Sequence, residues 1–468
     1  MTNTRTESDF LGPVEIPSAV YWGVQTARAR ENFPVSGIKA HSEFIRAMAR
    51  IKKAAAEVNA SAGALPEELA RPIVQAAEEV IDGRHDAQFV VDVYQAGAGT
   101  SFHMNMNEVL ANRAIELLGG ARGDYDRVHP NDHVNLGQST NDVFPTAMRL
   151  AALEMLPRID AALADLEEAL SSKADAFRDI VRSGRTHLQD AAPMTLGQVF
   201  TGYARAVARS REGLIREGDT LRELGIGGSA VGTGITSFAG YRQKVVARLS
   251  ELTGEALRPS ESTFEAMQSN QPFALVSGAL RALSLELIRI ANDLRLLASG
   301  PRTGLGDITL PAVQPGSSIM PGKVNPVMAE MLDMVAMQVV GFDATIAVAV
   351  QAGQMELNVM MPVINYNLLQ GLRILTNALN VFTDKCVRGI EADPVRCRKH
   401  AMASVGLATV LKPIVGYAGA SEVAKESART GRPIGELAIE RGLLTKDDLA
   451  KKLTPEALDP DGGKGGKG

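Results

Sequence analysis

A chain of 468 residues with 45% hydrophobic content is long enough for two or three domains, or one elongated one, around a substantial core, which excludes a disordered protein. With 49 Lys and Arg against 54 Asp and Glu, a net charge of −5 and no basic tract beyond a short lysine-bearing end, it offers nothing to nucleic acid. The polar N-terminus (Arg5, Glu7, Asp9) carries no signal-like region, no uninterrupted run of about 18 apolar residues follows, and Cys386 and Cys397 are too few for a disulfide framework, so a cytoplasmic protein without a membrane role is expected.

Residues 1–141 read as a mixed, mostly helical N-terminal domain. Gly12-Pro13, Pro17, Pro34 and Gly37 break its first elements, a helix is expected over 43–60, and another from about 104 to 118. Between them Gln95-Ala96-Gly97-Ala98-Gly99-Thr100-Ser101 is too small and flexible to pack as a core element, so it reads as a loop. Residues 142–393 change character. Ala, Leu, Glu and Arg recur at helical spacing with few breakers, predicting long helices over 143–176, 195–224, 271–299, 326–351 and 357–388, with a kink at Pro157. The fold class is therefore all-α, built on a long central helix bundle. Ala336-Met337-Gln338-Val339-Val340 and Ile346-Ala347-Val348-Ala349-Val350 are apolar nearly all round, and one chain can hardly cover them, so an oligomer is expected. Residues 394–468 read as a small C-terminal helical domain ending in a flexible Gly/Lys tail.

Four loops concentrate small polar side chains. The first is Gly97-Ala98-Gly99-Thr100-Ser101, the second Gln138-Ser139-Thr140-Asn141-Asp142, and the third Gly184-Arg185-Thr186-His187-Leu188-Gln189-Asp190. The fourth, Gly316-Ser317-Ser318-Ile319-Met320-Pro321-Gly322-Lys323-Val324-Asn325-Pro326, has two hydroxyls, a cation and an amide ahead of a helix. Asn325 is a good N-cap and Pro326 a good first helical residue, which would turn the positive end of that helix toward the loop. Neutral donors with one Lys and one His suit a small polyanionic acid, and preorganised donors of this kind stabilise a growing oxyanion.

Plainer readings compete for each piece. Ser139-Thr140-Asn141 alone makes an N-cap and turn, and a lone histidine such as His187 is more often structural. The fourth loop fails the phosphate-loop pattern, because five residues separate Gly316 from Gly322 and Val324 follows Lys323. Gly225-Ile226-Gly227-Gly228-Ser229-Ala230 follows a helical pattern instead of a strand, so it is not read as a dinucleotide site. His129 and His133 have metal-ligand spacing, but Pro130-Asn131-Asp132 between them speaks for a turn, and no metal site is expected.

The combination goes further than its parts. Gly-Ser-Ser-x-Met-Pro-x-Lys-x-Asn-Pro at 316–326 resembles the signature of the aspartase/fumarase superfamily, and the other loops resemble its remaining signature regions in the same order. The resemblance runs from about residue 9 to 458. It implies a three-domain homotetramer with a twenty-helix bundle and active sites shared by three subunits. The implied reaction is anti elimination across a Cα–Cβ bond to release fumarate through an aci-carboxylate. Ser317 matches the serine base, and Lys323 supports it. Thr100, Ser139, Thr140 and Ser318 match residues binding the β-carboxylate, while Thr186, Lys323 and Asn325 match those binding the α-carboxylate. Asn141 and His187 match residues near the leaving group, and Glu330 matches a carboxylate paired with the histidine.

Two members of the superfamily compete. Thr140 in the second loop, Ser101 after Thr100, and Leu310-Pro311-Ala312-Val313-Gln314-Pro315 resemble the aspartate ammonia-lyases, whereas His129-Pro130-Asn131-Asp132 resembles a class II fumarase motif. His103 stands where both groups usually have Asn, and Met361 where aspartases usually have Glu and fumarases Lys. The expected reaction is L-aspartate to fumarate and ammonia without a required cofactor, with divalent-cation activation left open. The alternatives are malate dehydration by a fumarase and a non-catalytic paralogue.

Overall fold

The computed structural model describes residues 3–459. The long Ala/Leu/Glu/Arg patterns fold as helices Thr140–Ala176, Leu196–Gly218, Gln271–Leu297, Val327–Gln351 and Met361–Lys385, close to the predicted spans. The first of these stays helical through both Pro145 and Pro157. The last begins later than predicted because Asn358 arrests the chain: its Oδ1 accepts the Met360 N–H at 2.8 Å and its amide donates to Ala349 and Val350 carbonyls. Strands among the described residues form only two-stranded pairs, so the protein is mainly α.

Two compact units divide the chain. One takes residues up to Asp160, Glu212–Ala282 and Gln338–Thr376. Here the helix Ser42–Ser61 buries Phe44, Met48, Ile51 and Ala55, a helical-period stripe. Phe44 meets Phe144 edge-on with centroids 4.9 Å apart and Phe102 at 5.1 Å, which ties together the starts of three helices. The other unit takes Ala161–Arg211, Leu283–Met337 and the described residues from Asn377 onward. Its C-terminal portion closes around Leu407, Leu411, Val423, Ile434, Leu437 and Leu449.

One described helix, Val327–Gln351, is long and apolar enough to cross a membrane by length and composition, with 33% of its most apolar window buried. Two of its three acids are paired, Asp333 with Arg295 at 3.1 Å and Asp343 with Arg281 at 3.0 Å. Met334, Met337 and Val348 remain exposed on it.

Candidate active site

In the first unit, the site begins with two helix starts brought together. Thr100 opens the helix Thr100–Leu117 and Thr140 opens Thr140–Ala176. Gly99 makes the approach possible, since it has φ +97° and a Cβ there would overlap the Phe144 ring. The Thr100 and Thr140 hydroxyl oxygens are then 3.3 Å apart. Both belong to first turns, where unpaired N–H groups and the helix dipole favour an anion.

The second loop is anchored from behind by Asp142. Its buried carboxylate accepts the Ser139 N–H at 2.9 Å, the Gly227 N–H at 3.0 Å and the Ser229 N–H at 2.9 Å. Burial pushes this carboxyl up to about 6, with those three N–H groups pulling the other way. The glycine-rich stretch 225–230 therefore serves the site as a backbone clamp. Asn141 is fixed by a 2.8 Å bond from its amide to the Ala230 carbonyl, and the Ser139 hydroxyl accepts the Asn141 N–H at 3.3 Å. The N-cap reading of Ser139 holds, since its hydroxyl accepts an N–H of the first helical turn. The sequence reading missed Asp142; the Ser-x-x-Asp spacing of a capping box from Ser139 is the signal that could have found it, whereas nothing local points to its grip on 227 and 229.

In the second unit, the signature loop closes on itself. Gly316 N–H donates to the Lys323 carbonyl at 2.8 Å, and the Asn325 amide donates to the Gly316 carbonyl at 2.7 Å. A Cβ on Gly316 would lie 2.6 Å from that Lys323 oxygen, so the neck of the loop requires glycine. Asn325 thus fastens the loop instead of capping the helix, which starts at Val327; this corrects the sequence expectation. At the turn, the Ser317 hydroxyl oxygen accepts two backbone N–H groups, from Ile319 at 3.2 Å and Met320 at 3.0 Å. Ser317 and Lys323 line one open pocket with Pro315, Met320 and Val324. Ser318 and Lys323 are exposed.

The third predicted loop is a β-hairpin. Val181–Thr186 pairs with Gln189–Thr195, leaving His187 and Leu188 as a two-residue turn with φ of +56° and +60°. A tight antiparallel hairpin demands positive φ at both turn positions, and non-glycine residues adopt it only at a cost. Thr186 and His187 are exposed at its tip. Glu330 lies in the first turn of Val327–Gln351, and among the described residues no ion pair joins it to His187 within one chain. The hairpin is held at its base by Asp307, fully buried, which takes Arg182 at 3.0 Å, Arg185 at 2.9 Å and His400 Nδ1 at 2.8 Å. Burial would raise the Asp307 carboxyl, but the charges of Arg182 and Arg185 and the His400 bond outweigh it and hold it below its usual range. No pattern in the sequence pointed to this cluster.

His129 and His133 do not face outward as a ligand pair. His129 caps a five-residue helical turn, Pro130–Val134, to which His133 belongs: His129 Nδ1 accepts the Asn131 and Asp132 N–H groups, and His133 Nδ1 accepts the His129 N–H at 2.8 Å.

The lyase family matches residues 12–341, and the fumarase C C-terminal family matches 407–458. The chain is a lyase of the aspartase/fumarase superfamily. It is 47% identical over 454 residues to an aspartate ammonia-lyase of a Bacillus species, covering 97% of each chain. It is equally 47% identical over 458 residues to a class II fumarate hydratase of Thermosynechococcus vestitus, covering 98% of each. Among solved structures, a fumarate lyase:delta crystallin from Brucella melitensis bound to cobalt superposes with a TM-score of 0.94 at 46% identity, over 97% of this chain and 99% of that one. The class II fumarase of Schistosoma mansoni superposes with a TM-score of 0.93 at 37% identity, over 98% and 100%. Superfamily membership thus fixes the reaction class, and equal identity to both kinds of relative leaves the leaving group to the site residues.

Proposed function

We propose that this lyase is an aspartate ammonia-lyase, eliminating ammonia from L-aspartate to give fumarate, with Ser317 as the base. The observation that carries the chemistry is the pair of backbone N–H groups, from Ile319 and Met320, directed at the Ser317 oxygen. A serine hydroxyl is far too weak an acid to serve as a base at neutral pH unaided. Two fixed N–H donors and the nearby Lys323 cation would stabilise its alkoxide without reorganisation. The alkoxide removes a Cβ proton, the electron pair enters the adjacent carboxylate, and the aci-carboxylate then expels the amine as the C–N bond breaks. The extra charge of that intermediate is what Thr100, Ser139, Thr140 and Ser318 would bind, while Thr186, Lys323 and Asn325 hold the α-carboxylate. Asn141 and His187, with Glu330 as the histidine's partner, would serve the leaving group.

Thr140 and Ser101, the aspartase-like choices in their loops, favour ammonia over water as the leaving group. The second reading is a class II fumarase, favoured by the turn His129-Pro130-Asn131-Asp132. The exposed Met334, Met337 and Val348 support association with further copies of the chain; by the family resemblance that assembly is a homotetramer whose active sites draw loops from three subunits, so that His187 and Glu330 would meet across chains. On this reading the enzyme is cytoplasmic, binds a small dicarboxylate and needs no cofactor. Rates of fumarate formation from L-aspartate and L-malate, compared by ultraviolet absorbance, test it: turnover of malate alone would replace it with the fumarase.

A further inference from the structure

Behind Thr140 a chain of hydrogen bonds runs into the core of the first unit. Lys52 lies on the apolar face of Ser42–Ser61 and is fully buried. Its Nζ is 2.6 Å from His103 Nε2, 2.9 Å from Asn135 Oδ1 and 2.9 Å from Gln138 Oε1. The two amide oxygens are held toward it, because the Asn135 amide donates to the Gln138 carbonyl at 3.2 Å and the Gln138 amide to the Val134 and Leu136 carbonyls at 3.1 and 3.3 Å. His103, 1% exposed, places Nδ1 2.8 Å from the Thr140 oxygen. The Thr100 hydroxyl spends its proton on the Gly97 carbonyl at 2.6 Å.

With His103 neutral, as its burial and the Lys52 charge require, two proton arrangements satisfy every partner along this chain. In one, an ammonium on Lys52 donates three times, His103 accepts at Nε2 and donates from Nδ1, and Thr140 keeps its own proton for an outside acceptor. In the other, a neutral amine accepts from Nε2–H, and the bare Nδ1 captures the Thr140 proton. A carboxylate can only accept. Its arrival at Thr140 selects the first arrangement, which holds one proton more, so substrate binding is coupled to the tautomer of His103 and to uptake of one proton from solvent by Lys52.

Resting on the reading of Thr140 as a carboxylate-binding hydroxyl, we infer that His103 is a positioning residue that keeps the Thr140 proton directed at the carboxylate on which charge develops, with Lys52 holding its tautomer. Burial and the Lys52 charge both keep the imidazole well below its usual range, so it stays neutral. Burial also pulls Lys52 down, opposed by the charge of Asp142, the ionised group that faces it.

Two isosteres separate this role from mere filling of a buried space. His103→Asn sets an amide N–H where Nδ1–H stands, whereas His103→Gln reaches the Nε2 position and Lys52 but leaves Thr140 without its donor. With fumarate formation as the readout, H103N is expected to lose less than about threefold in kcat/KM and H103Q about tenfold or more, chiefly in kcat, since a donor to a charged acceptor is strongest in the transition state. Thr140→Val should cost less in H103Q than in the parent, because part of what the Thr140 hydroxyl does depends on its contact with His103. An active H103Q beside a damaged H103N, or two variants both at parent rates, would overturn the role. If H103Q does not fold, His103→Asp serves instead: its carboxylate only accepts and takes the Thr140 proton, so a loss beyond about tenfold is expected and parent-like turnover refutes the inference. A parent enzyme inert toward both L-aspartate and L-malate removes the proposed activity and this role together, whereas an active parent with an equally active H103Q removes the role alone.

Discussion

Gly99→Ala tests whether the two helix starts are held together by a glycine-only contact. Two costs arise at Gly99: an alanine at φ +97° leaves the favoured backbone regions, and its Cβ would overlap the Phe144 ring, itself 1% exposed and packed against Phe44. The backbone cost is about 1–2 kcal/mol and overpacking adds about 1–3 kcal/mol. The total expected is about 2–5 kcal/mol. Gly240→Ala supplies the control, because Gly240 has φ +86° but nothing within 4 Å of where the alanine methyl would stand, so it should cost the backbone part alone, about 1–2 kcal/mol. Urea unfolding of both variants and the parent measures the difference, and initial rates of fumarate formation measure the site. Since the overlap must push Thr100 away from Thr140, G99A should also lose kcat/KM while G240A keeps it. Equal destabilisation of the two variants, or a fully active G99A, would refute the packing argument.

Other consequences follow from the same geometry. Ser317→Ala should cut turnover by orders of magnitude with a modest effect on binding, measured as a collapse of kcat at little-changed KM, because it removes a transition-state interaction. Asp307→Ala leaves the buried Arg182 and the half-buried Arg185 without their carboxylate and should cost about 3–5 kcal/mol, seen as a lower unfolding midpoint and faster proteolysis at the hairpin tip. Stability should also depend on acid through Glu43. Burial would raise its carboxyl, but a backbone N–H and the Arg373 and Arg46 charges outweigh that and bring it from 4.5 to about 2. A depressed folded value means this contribution is present above pH 4.5 and is lost as pH falls toward 2; urea midpoints across that window should slope less in Glu43→Gln by about one proton's worth.

The long helices were legible because period and length agree over many residues, and the four polar loops because their composition excludes a core. Local ambiguity defeated the rest. The stretch 184–190 is polar in either conformation, so the hairpin it forms, set by pairing with 189–195, left no periodic trace. Asn325 looked like a cap because that is the common use of Asn before Pro, whereas closure of the loop gave its amide a better partner in the Gly316 carbonyl. Lys52 was hidden in a Lys-Lys pair. Its phase with Met48, Ile51 and Ala55 places it inside and Lys53 partly outside, yet only three fixed acceptors make a buried lysine tolerable, and those come from residues 103, 135 and 138. His103 stood out in the sequence as a departure from the family pattern, but its partners came only with the fold.

Elimination of ammonia from L-aspartate is tested most directly by the stoichiometry of products. Purified enzyme given L-aspartate should release fumarate and ammonium one for one, at a rate well above fumarate formation from L-malate, and the S317A enzyme should release neither. Fumarate from malate with no ammonium from aspartate would contradict the account.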